Sequence, residues 1–260
     1  MKIDLSGKRA LVTGSSSGIG QATAIQLAAC GAKVAVTYRS NEEGGKSTVD
    51  TIEKQGGEAL LCRMDVGKPK EIEEVFEAMD ERWGGVDLVV SNAGMDGKRA
   101  PLWEIEEEDW LKVIEVNLKG TYLVAREALR RMVAQKDGVF LTVSSVHEIV
   151  PWGGHTAYTA TKAACGMIIR SLALELADSG VRALSFAPGA IKTEINEDVW
   201  SDPDSLADLK TKIPMNRMGT VEEMAKSIAV LLSDAASYQT GTTVFADGGM
   251  SAYPSFGHGG

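Results

Sequence analysis

At 260 residues the chain is long enough to bury a sizeable core as one α/β domain, and its 44% hydrophobic and 24% charged residues exclude a disordered polymer. A formal net charge of −9 leaves no basic footprint for nucleic acid or anionic lipid. No apolar run approaches the roughly 18 residues of a membrane span.

The opening MKIDLSGKRALVTG lacks the apolar core of a secretory signal. Cys30, Cys62 and Cys165 lie far apart in apolar context, and with His147, His155 and His258 they make no C-x-x-C pair and no metal-ligand spacing. These features predict a cytoplasmic protein in a reducing compartment, with no catalytic metal and neither nucleic acid nor membrane as partner.

In chain order, residues 8–13 (KRALVT) predict a strand that runs into Gly14-Ser15-Ser16-Ser17-Gly18-Ile19-Gly20, followed by a helix to Ala29 that stops at Gly31. Glycines there let the backbone turn tightly and approach a pyrophosphate, whose charge sits at the helix amino terminus. The spacing G-x-x-x-G-x-G is not G-x-G-x-x-G, so the weight rests on position: strand before, helix after, in a βαβ unit that closes with a strand at 33–38. A dinucleotide-binding fingerprint places an acidic residue on the adenosine ribose. Here the second strand ends in Thr37-Tyr38-Arg39-Ser40-Asn41. A carboxylate repels a 2′-phosphate, whereas Arg39 can pair with one, so NADP is favoured and NAD remains possible.

Alternation continues with a helix at 43–55, a strand at 58–63 ending in Asp65-Val66, a helix at 69–82 and a strand at 86–91 ending in Asn92-Ala93-Gly94. Repeated βα units predict one doubly wound α/β fold with a parallel sheet and helices on both faces. Asp65 either accepts a hydrogen bond from an adenine amino group or caps the next helix. One long helix is predicted over 106–134, with Asn117 its odd member, because asparagine competes for backbone hydrogen bonds. Its role is either a polar bridge to a neighbouring strand or the holding of a bend and a water near Lys162.

The apolar strand 138–143 ends in Ser144-Ser145, at the sheet edge where ligands of open α/β folds bind. A helix over 158–177 then sets Tyr158 and Lys162 four apart on one face. A free tyrosine ionises near pH ~10, and a neighbouring ammonium favours the phenolate, which suits a general base. A strand at 181–186 leads into Pro188-Gly189-Ala190-Ile191-Lys192-Thr193, a turn on the ligand side. The polar stretch 194–220 is expected to hold one short helix and to act, within about 190–220, as a substrate lid. A helix at 221–232 and a strand at 242–246 precede the tail 247–260, whose Tyr253, Pro254 and Phe256 are expected to pack on a sister subunit.

Together T-G-S-S-S-G-I-G (13–20), N-A-G (92–94), Asn117, Ser145 and Y-T-A-T-K (158–162) resemble the short-chain dehydrogenase/reductases over essentially the whole chain. That resemblance implies a seven-stranded Rossmann sheet and a homotetramer. It makes Tyr158 the acid/base, Lys162 its electrostatic partner and the holder of the nicotinamide ribose, Ser145 the residue that positions the reacting oxygen, and Asn117 the support of a water relay. Gly14, Ser16, Ser17, Gly18, Ile19, Gly20, Arg39, Ser40, Asp65, Val66, Asn92, Ala93, Gly94, Pro188, Gly189, Ile191 and Thr193 are then the cofactor residues, beside Tyr158 and Lys162.

More narrowly, S-V-H-E (145–148), P-W (151–152), P-G-A-I-K-T-E-I-N (188–196), I-P-M (213–215), F-A-D-G-G-M (245–250) and Y-P-S-F (253–256) resemble the bacterial glucose 1-dehydrogenases. The implied reaction is oxidation of β-D-glucose at C1 to the lactone with NAD or NADP, with Asp96, Ser145, His147 and Asn196 lining the sugar site. The pattern departs from those enzymes where Asp96 replaces a glutamate, Val199 a lysine, and Gly153-Gly154-His155 bulkier residues. A ketone or 3-oxoacyl reductase is the alternative. Against it, the arginine of S-L-A-R is Leu174 here, although Arg126, Arg130 and Arg131 leave some basic surface. A non-catalytic dinucleotide sensor on the same fold is the third reading.

Overall fold

The computed structural model of the chain describes residues 3–252. Seven parallel strands form one sheet in the order β3-β2-β1-β4-β5-β6-β7. They are β1 (Arg9–Val12), β2 (Lys33–Tyr38), β3 (Ala59–Arg63), β4 (Leu88–Ser91), β5 (Gly138–Val143), β6 (Val181–Pro188) and β7 (Thr243–Ala246). The helices are α1 (Gly18–Ala29), α2 (Glu42–Lys54), α3 (Pro69–Trp83), α4 (Glu107–Val113), α5 (Gly120–Gln135), α6 (Thr156–Glu175), α7 (Glu197–Ser201), α8 (Pro203–Thr211) and α9 (Val221–Leu232).

The central strands read as unbroken apolar runs because both of their faces are covered. Successive side chains point to opposite faces, so alternate residues enter different cores. Ala10, Val12, Val34, Val36, Val90, Leu141 and Val143 pack with Ala24 and Leu27 of α1 and Ile228 and Leu232 of α9. Their neighbours Leu11, Ala35, Val89 and Phe140 pack with Phe76 and Met79 of α3, Val124 and Ala128 of α5, and Ile169 of α6. Strand order reverses between β1 and β4, which opens a crevice at their carboxyl ends.

The helix predicted over 106–134 runs without a gap from Glu107 to Gln135, but its hydrogen-bond pattern changes midway. Between α4 and α5 the residues Ile114–Lys119 form a π-helical turn centred near Asn117, a bulge of the kind found at functional sites. Strand β6 also runs longer than predicted, reaching Pro188, so the strand itself carries the first residue of the ligand-side turn. The stretch 194–220 contains two α-helices, α7 and α8, where one was expected. The tail residues Tyr253, Pro254 and Phe256, on which the expected subunit contact rests, lie outside the described residues. Among the described residues no helix is long and apolar enough to cross a membrane, and no cluster of three His, Cys, Asp or Glu side chains suits a metal ion.

Candidate active site

The glycine turn after β1 is built around Thr13. Its hydroxyl accepts the backbone N–H groups of Asn92 (2.9 Å) and Ala93 (2.8 Å), while Asn92 Nδ2 donates to the carbonyls of Thr13 (2.9 Å) and Gly14 (3.2 Å). Asn92 is therefore spent on clasping β1 to β4, and Ala93 presses on Gly14, where a Cβ would sit 3.1 Å from the Ala93 Cα. Gly14 and Gly18 have φ of 63° and 55°, which other residues rarely adopt. A Cβ on Gly20 would overlap the Gly14 carbonyl and Asn92 Nδ2. Ser17, the residue preceding α1, lends no side-chain cap to the helix, and Thr193 faces Gly18 across the cleft, its methyl 3.7 Å from where a Cβ would be. Close-packed glycines, an uncapped helix amino terminus and a facing threonine fit a pyrophosphate. Ser16 and Ile19 lie on the same turn.

At the far end of this cleft, Arg39 and Ser40 are exposed just beyond β2. Asp65 does not cap the next helix. Its carboxylate accepts the N–H of Gly67 (3.0 Å) in a local turn, while α3 is preceded by Lys68 with no side-chain cap. Val66 is buried against the start of α5, where a Cβ on Gly120 would strike it.

Ser145, Tyr158 and Lys162 come together at the carboxyl edge of β5. Lys162 is buried, and its ammonium donates to the carbonyl of Val143 (2.8 Å) and lies 5.5 Å from the centre of the Tyr158 ring. The ammonium lies beside Gly94, whose added Cβ would be 3.7 Å from Nζ. Ser145 Oγ accepts the N–H of His147 (3.2 Å), which leaves its own proton free to donate. His147 Nδ1 donates to the Val150 carbonyl (3.0 Å), since a carbonyl can only accept, and the neutral ring keeps Nε2 as an acceptor. Burial pushes the His147 pKa below its ordinary value, against the opposing pull of the Val150 hydrogen bond.

Asn117 sits at the π turn, and its Oδ1 and the Lys162 ammonium both border Gly94. Its Oδ1 accepts the Met95 N–H (2.8 Å), and its Nδ2 donates to the Met95 carbonyl (2.7 Å) and to Thr161 Oγ1 (3.2 Å). Its carbonyl, displaced by the π turn, takes the Thr121 hydroxyl (2.7 Å). The side chain thus ties the segment after β4 to α6. Asn196 is similarly engaged: Oδ1 accepts from the N–H and hydroxyl of Thr193 (3.0 Å each), and Nδ2 donates to the Ile191 carbonyl (2.9 Å). Of the other expected sugar residues, Asp96 is exposed and lines a small recess with Asp109, His155 and Thr156. Pro188 is buried at the end of β6, and Gly189 packs on Asp247, leaving no room for a side chain.

Residue-by-residue reading missed Trp152 and His155. Trp152 is stacked on both imidazoles, that of His147 (4.6 Å, 15°) and that of His155 (3.7 Å, 23°), with its ring 6.0 Å from that of Tyr158 in a T-shaped arrangement. Their sequence signals were the P-W pair, the departure at Gly153-Gly154-His155 and proximity to Tyr158.

A doubly wound sheet with a glycine-turn cradle at its switch point, and a serine, tyrosine and lysine on the adjoining strand edge and helix, defines a nicotinamide-dinucleotide oxidoreductase. Residues 14–251 match the family described as enoyl-(acyl carrier protein) reductase. The chain is 44% identical to 3beta-hydroxysteroid dehydrogenase 1 of Eggerthella lenta, covering 97% of each chain, and 41% identical to glucose 1-dehydrogenase 2 of Bacillus subtilis, covering 97% of this chain and 98% of that one. Among solved structures it is similar to a gluconate 5-dehydrogenase from Burkholderia cenocepacia in complex with NADP and tartrate, with a TM-score of 0.90 and 32% identity over 96% of this chain and 98% of that one. The chain belongs to the short-chain dehydrogenase/reductase family and is an NAD(P)-dependent oxidoreductase.

Proposed function

We propose that the chain oxidises a hydroxyl carried on a saturated ring, with NADP as the preferred cofactor and the anomeric C1 hydroxyl of β-D-glucose as the first candidate. The observation that carries this reading is the unspent hydrogen-bonding capacity at the edge of β5: a serine proton, a phenol, and a buried ammonium 5.5 Å from the centre of the phenol ring. The nicotinamide, when bound, accepts the hydride at its C4. The phenolate of Tyr158 takes the hydroxyl proton, Lys162 favours that phenolate, and Ser145 donates to the substrate oxygen and holds it. Arg39, exposed and without an ion pair or hydrogen bond to any described residue, supports the NADP preference.

A second reading, a larger apolar ring alcohol such as a hydroxysteroid, is favoured by the lack of polar groups to grip a sugar. Asn196 has both polar atoms engaged, position 199 is valine, and Trp152 is already stacked on His147 and His155. Ile149 and Met215 are exposed. The relatives named above divide in the same way. Reduction of an acyl-carrier substrate is disfavoured because the basic patch is neutralised internally: Arg126 and Arg130 pair with Glu127, and Arg131 with Glu127 and Asp80.

The reading includes a homotetramer in the cytoplasm, supported by the apolar residues Tyr122 and Val133 on α5 and Met167 and Leu174 on α6, all left exposed in one chain. The test is the initial rate at an absorbance of about 340 nm with D-glucose, other sugars and hydroxysteroids, each with both oxidised cofactors, beside a Tyr158→Phe variant. The proposal expects turnover on a ring alcohol that falls at least ~100-fold in the variant while cofactor affinity is kept. Turnover surviving that substitution refutes the mechanism.

A further inference from the structure

We propose that Glu148 is a positioning residue that locks Ser145 and His147 in place from beneath, an assignment that rests on the catalytic reading of Ser145. Glu148 ends the short turn Val146–Glu148, and its own N–H closes that turn on the Ser145 carbonyl (2.9 Å). The side chain runs down into the protein, only 9% exposed. There Oε2 accepts the hydroxyl of Ser185 on β6 (3.2 Å) and Oε1 the hydroxyl of Thr243 on β7 (2.8 Å). On the third side it lies against Gly166, where any Cβ would overlap the carboxylate. Gly166 is four residues beyond Lys162, so the carboxylate seats on the face of α6 that carries the ammonium, one turn further on. A single side chain therefore joins β6, β7 and α6 to the turn that presents the serine hydroxyl and the histidine.

Solvation energy does not recommend this arrangement. Burial of a carboxylate is costly, and among the described residues Glu148 has no ion pair, only two neutral hydroxyl donors. An apolar side chain would fill the same space more cheaply but could not hold two strands in register with the turn. The lock matters because Ser145 must meet the substrate oxygen in a narrow geometric window, and a displacement of about 1 Å at such a centre costs on the order of 10²-fold in rate. Gly166 is the complementary half of the lock, since only glycine leaves room for the carboxylate.

The experiment compares Glu148→Ala, Glu148→Gln and Gly166→Ala, each alone and combined with Ser145→Ala, in the full chain with cofactor. Cofactor dissociation constants come from reduced-nicotinamide fluorescence, and kcat and KM from the ring alcohol that gives the highest turnover. Glu148→Ala and Gly166→Ala should lower kcat by up to about 100-fold with cofactor affinity unchanged. Glu148→Gln should restore most of the rate, because an amide can donate to one hydroxyl and accept from the other. In the Ser145→Ala background neither substitution should cost anything further, since the group being positioned is gone. A loss that repeats in full on top of Ser145→Ala, or that tracks an equal loss of cofactor affinity, overturns the proposal. If Glu148→Ala does not fold, Gly166→Ala with and without Ser145→Ala tests the same coupling from the other half of the lock. A Ser145→Ala protein with full turnover would instead sink the catalytic reading of Ser145, a failure separable from any behaviour of Glu148.

Discussion

Replacing Arg39 by alanine removes one charge and nothing else. The side chain is exposed beyond β2 and bonds no described residue, so the fold should lose less than about 0.5 kcal/mol. On the proposed NADP preference, what disappears is a charge-assisted contact with the 2′-phosphate. Such hydrogen bonds contribute about 1.5–3 kcal/mol when ordered and shielded. At the surface of β2 solvent screening reduces this to about 1–2 kcal/mol, or roughly 5- to 30-fold in affinity. NAD has no phosphate there and should bind as before. Titration of both reduced cofactors by fluorescence, with kcat/KM for both oxidised ones, reads the ratio directly. A variant whose NADP and NAD constants fall together, or in which neither moves, refutes the assignment of Arg39. Arg39→Asp should push the ratio further toward NAD, because it adds repulsion to the lost attraction.

Asn117→Ala deletes three side-chain hydrogen bonds at a site only 2% exposed and leaves the Met95 N–H and carbonyl without those partners, so urea denaturation should show a loss of about 2–4 kcal/mol; an unchanged midpoint would contradict the anchoring role. Gly20→Ala must move the Gly14 carbonyl or Asn92, and should weaken binding of either cofactor by about 10-fold or more while costing about 1–3 kcal/mol of stability, as read by the same titrations and by thermal unfolding. For His147 the sign follows from burial: its folded pKa lies below the ordinary value of about 6.5, so between the two the unfolded chain binds more protons. Its contribution is therefore complete above about pH 6.5 and declines as the pH falls toward the folded pKa. The stability difference between the parent protein and His147→Gln, measured by denaturation at several pH values, should change over that window; a difference independent of pH would contradict the burial argument.

The sheet was legible because burial of both faces turns β2 and β5 into continuous apolar runs, and the residues predicted for those two strands are the ones that form them. Tyr158 and Lys162 were legible because a helix brings residues four apart onto one face wherever it lies. A bend at Asn117 was legible as one of two roles for an asparagine inside a helix, but the π turn that makes it was not, since the pairing of Asn117 with Met95 spans 22 residues of sequence. Glu148 was hidden for the same reason: its partners Ser185 and Thr243 are 37 and 95 residues away.

What separates the two groups of polar residues around this cleft is how much of their bonding capacity the fold has already used. Asn92, Asn117, Asn196 and Glu148 have their side-chain oxygens or amides turned inward onto neighbouring strands, helices and turns. Ser145 retains a proton, Lys162 has donors beyond the one given to Val143, and His147 keeps Nε2. A motif names both groups alike, because it records residue types at spacings. The second group can exchange hydrogen bonds with a substrate without first breaking the scaffold, as can the phenol of Tyr158, whose hydroxyl bonds no described residue, and that asymmetry supports the reaction roles proposed for Ser145, Tyr158 and Lys162, with the asparagines and the buried glutamate holding the scaffold around them.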